Sequence, residues 1–281
     1  MFHDYVIIVT MTGTHILAFS AIIFYLASAL LIGRKLLKKL AIDKSDKNLA
    51  LLFGFAGLLL HAFVVHDIMI ADKGVNLSFT NAASIVAWLT AALLLIGSIK
   101  QPMESLAMIF FPLAAISLGI SQLFPSQNVI EADLPSGLQI HILFSIIAYS
   151  LLSIAAVQAL ILAIADARLK NRHPVPVMRI LPPLQTIETL LFQFIWLGFI
   201  LLTVSFITGF PYVEDIFGQH LIHKTVLSIC AWITFAILLW GRTRFGWRGR
   251  TAVRFTIAGM IALVLAYFGS KAVLELVLQR L

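Results

Sequence analysis

Cysteine is nearly absent from this chain: Cys230 is the one thiol in 281 residues. No disulfide can close within the chain, and a CxxCH motif is impossible. Charge is sparse as well, because Asp, Glu, Lys and Arg make up 12% of the residues, against about 25% in soluble domains. A water-soluble globular enzyme is thereby excluded. No short-period repeat and no long polar stretch is visible, which removes collagen-like and disordered classes. Acidic residues are the scarcest charged type, 13 against 20 Lys and Arg, for a net charge of +7. That excess would suggest nucleic acid only on a water-exposed domain, and no segment is long enough to form one.

What fills the chain is apolar: 60% of the residues are hydrophobic and the mean hydropathy is +1.00. A hydrocarbon core of about 30 Å takes ~20 helical residues per crossing. By that measure eight runs qualify, near 6–33, 48–70, 82–99, 104–124, 138–165, 187–210, 219–240 and 254–278. The expected fold class is all-α, a polytopic transmembrane helix bundle in a single integral membrane domain, 1–281. The first run is too long for a signal peptide, and its cations Arg34, Lys35, Lys38 and Lys39 follow it, so it reads as a retained helix.

Cytoplasmic loops of membrane proteins carry the excess of Lys and Arg, which tests the count of crossings. Of the 20 Lys and Arg, 16 fall on one side, and the other holds Lys73, Lys224, Lys271 and Arg280. Both termini are then expected to be extracytoplasmic. No loop can house a catalytic domain, so chemistry belongs inside the bundle or at its rim. The segment GRTRFGWRGR (Gly241 to Arg250) reads as a topogenic, lipid-facing loop rather than a nucleic-acid site.

Histidines are the informative residues, and seven of the eight fall in the outer half. His3, His66, His141, His220 and His223 lie near outer helix ends, His15 and His61 lie deeper, and His173 is cytoplasmic. At 1.5 Å per residue His15 is about 14 Å along its helix, and His61 is similarly deep. Neighbouring helices could bring these two imidazoles to one haem iron, or each could simply hydrogen-bond a neighbour. His220 and His223, three apart, share a helix face, and His141 opens another helix at the same side. Imidazoles alone leave zinc, copper, haem iron and plain interfacial polarity open. Lys224 and Lys271 are the cations placed to meet carboxylates there, though Lys271 and Glu275, four apart, can pair with each other. Asp67 can orient the His66 ring, and Cys230 reads as packing.

The stretches LQIHILFSIIAYSLLSIAA (Leu138 to Ala156), HKTVLSICAW (His223 to Trp232), GWRGR (Gly246 to Arg250) and AYFGSK (Ala266 to Lys271) resemble the cytochrome c assembly proteins of the CcsA, CcmC and ResC type. The chain as a whole is similar to their small YpjD/HemX-like inner-membrane branch. The resemblance implies a haem-handling protein that holds haem b non-covalently through histidines and presents it for attachment to apocytochrome c. His141 matches the family's first external haem histidine, eight before a matching Tyr149, and Lys224 and Trp232 match residues that follow its tryptophan-rich motif. That motif itself is missing, since GFPYVEDIFGQH (Gly209 to His220) holds no Trp. The family's later histidines fall near Trp240 and Leu278, which puts synthetase activity in doubt.

The expectation is therefore a multi-pass protein of the bacterial inner membrane that binds haem b at the periplasmic side. His141 and one of His220 or His223 would be the axial ligands, with His15 and His61 as a deeper candidate pair. Lys224, Trp232 and His66 complete the candidate cofactor contacts. The expected partners are haem, the bilayer, and apocytochrome c or another haem-handling membrane protein, with no nucleic acid. A carrier or assembly factor is expected rather than a turnover enzyme. The competing readings are a transporter of ions or small solutes and a quinol-linked cytochrome b; no inverted repeat or pair of broken helices supports the former.

Overall fold

A computed structural model describes residues 2–37, 44–69, 74–125, 129–131, 134–170, 183–212 and 222–269. The described part of each apolar run lies mainly in one helix of its own, and among the described residues eight helices are long and apolar enough to cross a membrane. They are α1 (Phe2–Leu37), α2 (Lys44–Met69), α3 (Phe79–Lys100), α4 (Glu104–Leu123), α5 (Ser136–Lys170), α6 (Leu184–Gly209), α7 (Ile222–Phe245) and α8 (Gly249–Val264). α1 and α5 have 36 and 35 residues, well beyond one crossing, so their polar ends extend past the apolar runs read from sequence. Two three-residue strands, β1 (Gly74–Asn76) and β2 (Val129–Glu131), pair antiparallel with Val75 opposite Ile130. Strands this short leave no periodicity to read.

The chain packs as two compact units, 1–133 and 134–281. In the first, α1 lies against α2 and α4, and α3 against α4 and α2. The α1 stripe Ala18, Ala21, Tyr25, Ser28, Ala29 and Ile32 is buried, at the spacing of one helix face. Its small residues let backbones approach closely, which is how helices associate when lipid removes the hydrophobic drive. The Ser28 hydroxyl donates to the Ala50 carbonyl at 2.6 Å and Thr14 donates to Asp67 at 3.0 Å, so α1 and α2 run antiparallel. Phe19, Ile23, Leu52 and Phe63 point outward, as expected of a surface solvated by lipid.

In the second unit α5 packs most extensively on α6 and also on α8, while α7 packs on α8. Ala148, Leu152, Ala155, Ala159 and Leu162 of α5 form the buried seam. One end of this unit gathers the start of α5, the end of α6, the start of α7 and the end of α8. The other end carries Asp166, Glu188 and the arginines. There the segment expected to be a loop is mostly helical: Gly241 to Phe245 end α7, and α8 begins at Gly249. Only Gly246, Trp247 and Arg248 connect them. Gly246 takes φ 66°, a left-handed value that glycine adopts without strain, and the Trp247 N–H donates to the Gly241 carbonyl at 3.2 Å. Past Val264 the last turn, Leu265–Gly269, widens into a π-helix.

Candidate functional site

His141 sits in the second turn of α5, half-buried against the last turn of α6. Its Nδ1 is 2.7 Å from the Ser205 carbonyl oxygen and 3.1 Å from the Ser205 hydroxyl. A carbonyl can only accept, so Nδ1 carries the proton. In a neutral ring Nε2 then holds the lone pair, and among the described residues it has no hydrogen-bond partner. Gly209 makes the approach possible: a Cβ there would overlap His141 Nδ1 and lie 2.8 Å from Cε1. Ser145, one turn further along α5, donates to the His141 carbonyl and meets the Ser205 hydroxyl, both at 2.6 Å. The ring is thus fixed in position and tautomer while its other nitrogen is left available. That is the arrangement by which protein groups orient a metal-ligating imidazole.

Two turns inward on the same face, Tyr149 packs edge-on against Phe268, with ring centroids 5.5 Å apart. Its hydroxyl is buried and has no hydrogen-bond partner among the described residues, an orphan of the sort a bound ligand relieves. Phe268 belongs to the π-helical turn, as does Tyr267, whose ring lies 5.6 Å from the Lys224 ammonium. π-turns inside helices recur at functional sites. Trp232 lies two turns along α7 from Lys224. Its indole N–H donates to the Thr203 hydroxyl at 2.9 Å, and its ring stacks on Phe199 at 5.4 Å. The structure therefore brings His141, Tyr149, Lys224 and Trp232 to one end and flank of the 134–281 unit. A haem fits this donor set: one imidazole with an open Nε2, a cation, a buried orphan hydroxyl and an aromatic lining. His223 begins α7 at the same end, with its side chain outside the described residues. His220, His173, Lys271, Glu275 and Leu278 lie outside the described residues, as does the side chain of His3.

The other candidate histidines belong to the 1–133 unit, and of the two readings of the deeper pair His61 follows the one in which each ring bonds a neighbouring helix. His61 is fully buried, with Nε2 2.9 Å from the Ser84 hydroxyl and Nδ1 3.3 Å from the Tyr25 hydroxyl. Both ring nitrogens are occupied, so the imidazole links α1, α2 and α3. His15 is exposed and sits beside the Thr14 to Asp67 contact, ten residues from Tyr25, or about 15 Å along α1. The two rings do not face one another. His66 is exposed, its Nδ1 3.7 Å from Asp67, so Asp67 does lie beside it. Cys230, expected as packing, is exposed on α7. Among the described residues no three His, Cys, Asp or Glu side chains converge as metal ligands.

Ser205 and Gly209 were not legible as site residues. One contributes a main-chain oxygen and the other an absence of side chain, and neither leaves a mark beyond a glycine near a helix end.

The family model described as Cytochrome C assembly protein matches residues 49–278. The chain is 34% identical to Inner membrane protein YpjD of Escherichia coli strain K12 over 264 residues, 93% of this chain and 99% of that protein. It is 33% identical over 143 residues to an uncharacterized 28.8 kDa protein of Azospirillum brasilense, covering 50% of this chain and 53% of that one. It is 30% identical over 87 residues to Cytochrome c biogenesis protein CcsA of Gloeobacter violaceus, covering 30% of this chain and 26% of that one. No solved structure matches.

Proposed function

The chain belongs to the Cytochrome C assembly protein family, and on that premise we propose that it holds haem b non-covalently through His141 and acts in haem handling for cytochrome c maturation. It is a multi-pass protein of the bacterial inner membrane. The observation that carries the reading is the tethered imidazole: the Ser205 carbonyl takes the Nδ1 proton and leaves the Nε2 lone pair for iron. His223, in the first turn of α7, or His220 would be the second histidine to hold the iron. Lys224 offers the ammonium for a propionate, and the orphan Tyr149 hydroxyl offers a polar contact further in. Trp232 braces the flank through Thr203.

Haem would supply the porphyrin iron that is carried and, in the family's chemistry, passed on to an apocytochrome c. The chain's own residues bind that group, fix the ring plane of His141 and keep water from the inner edge. We read the chain as a carrier or assembly factor rather than a turnover enzyme. The 16 to 4 partition of Lys and Arg supports placing the His141 end at the periplasm, with both termini outside.

The test is a haemin titration of the purified full chain, followed by a reduced-minus-oxidised absorption spectrum. A bis-imidazole spectrum is expected, lost in His141→Ala and in one of His220→Ala or His223→Ala. Uptake of haem by His141→Ala at the affinity of the parent chain, or no uptake by the parent chain, refutes the assignment.

A further inference from the structure

An open groove of about 460 Å³ runs along α6 from Thr189 to Ile200, with Arg242 of α7 at its rim. Its two ends differ chemically. Thr189, Gln193 and Arg242 line the rim, and Phe192, Trp196, Leu197 and Ile200 line the remainder. From Phe192 to Ile200 is eight residues, about 12 Å along α6, within the ~15 Å that one leaflet contributes to the hydrocarbon core. A groove polar at one end and apolar over most of one leaflet's depth matches an amphiphile lying along the helix. Trp196 and Ile200 are 43% and 50% exposed, so no protein side chain fills it.

The rim specifies the headgroup. Nη1 of Arg242 donates to Glu188 at 2.8 Å and to the Trp247 carbonyl at 3.2 Å, while the guanidinium lies 4.4 Å from the Phe192 ring centre. Both Nη1 hydrogens are thereby used. The hydrogens on Nη2 and Nε have no partner among the described residues, and such a planar fork suits two oxygens of one phosphate. Glu188 does not neutralise the rim, because it is shared with Arg248 at 3.4 Å, and Asp166 is taken by Arg250 at 3.4 Å. With Arg168, Arg244 and Arg254 also exposed, six guanidinium groups face two carboxylates. The field favours a net negative headgroup over a zwitterionic one.

We propose that this groove is a binding site for one anionic phospholipid, its phosphate on the unpaired edge of Arg242 and one acyl chain along Phe192, Trp196 and Ile200. The headgroup end at Thr189 lies sixteen residues, about 24 Å, along α6 from Ser205, which holds His141, and the site is independent of what His141 ligates. It ties the α6 and α7 ends together through the lipid as well as through Glu188.

The full chain, purified in detergent and offered vesicle-derived phosphatidylglycerol or phosphatidylcholine of the same acyl composition, is to be weighed by native mass spectrometry. One retained phosphatidylglycerol is expected, preferred by about tenfold over phosphatidylcholine. Ile200→Trp, which fills the groove from its lipid-facing side, should lose that adduct with an unchanged unfolding temperature in detergent. Arg242→Gln should lose the headgroup preference. Equal retention of the two lipids, no retained lipid, or an Ile200→Trp chain that keeps its adduct overturns the proposal.

Discussion

Replacing Gly209 with alanine tests the tether on His141 without touching a ligand. The new Cβ would overlap Nδ1 and lie 2.8 Å from Cε1 and 3.0 Å from Cγ of the ring. These atoms belong to a rigid imidazole held at Nδ1 by the 2.7 Å bond to Ser205, so the ring has to swing out and lose that bond. Losing the bond costs about 1 kcal/mol and the crowding costs about 1–3 kcal/mol. The better helix propensity of alanine returns at most ~1 kcal/mol, and less at the last residue of α6. The net destabilisation is about 1–4 kcal/mol, read as a lowered unfolding temperature in detergent. The effect on haem is larger in proportion, because a displaced orienting partner typically weakens metal binding by about 10–100-fold. Ser205→Ala is the matched control, since it keeps the carbonyl acceptor and removes only the hydroxyl, and its haem affinity should stay close to that of the parent chain. Two results would refute the reasoning: a Gly209→Ala chain with the parent's haem affinity, or a Ser205→Ala chain weakened as much as Gly209→Ala.

Two further substitutions separate packing from ligation. His61→Leu leaves the Tyr25 and Ser84 hydroxyls without their imidazole in a fully buried site and should cost about 1–3 kcal/mol of stability. The haem titration amplitude should be unchanged, and a halved amplitude would restore His61 as a ligand. Glu188→Gln removes the carboxylate that Arg242 and Arg248 share. Because Arg242 and Glu188 are 23% and 17% exposed, it should lower stability by about 2 kcal/mol, measured as a drop in unfolding temperature, while Arg250→Gln at the exposed Asp166 pair should change it little.

The eight crossings were legible because a bilayer imposes one crude requirement, a run of apolar residues of sufficient length, and each of these runs carries it. The ends were less so. The arginine-rich stretch after Leu239 is polar, so hydropathy alone suggests a long loop, yet the helices continue through it and turn on Gly246. His141 stood out in the sequence through its match to the family's first external histidine, and what the structure adds is the bond from its Nδ1 to a carbonyl 64 residues away.

For His15 and His61 the reverse holds. Depth along two neighbouring helices suggested a pair, but depth carries no rotation, and the rotation of α2 aims His61 at Tyr25 and Ser84 while His15 faces outward. Composition and the spacing of apolar runs thus determined by themselves that this is a membrane bundle of eight spans. Which polar side chains meet inside it was decided only by tertiary packing. Bilayer partitioning responds to the sum of a segment's residues, whereas a hydrogen bond between helices depends on the register and facing of two surfaces that no single segment encodes.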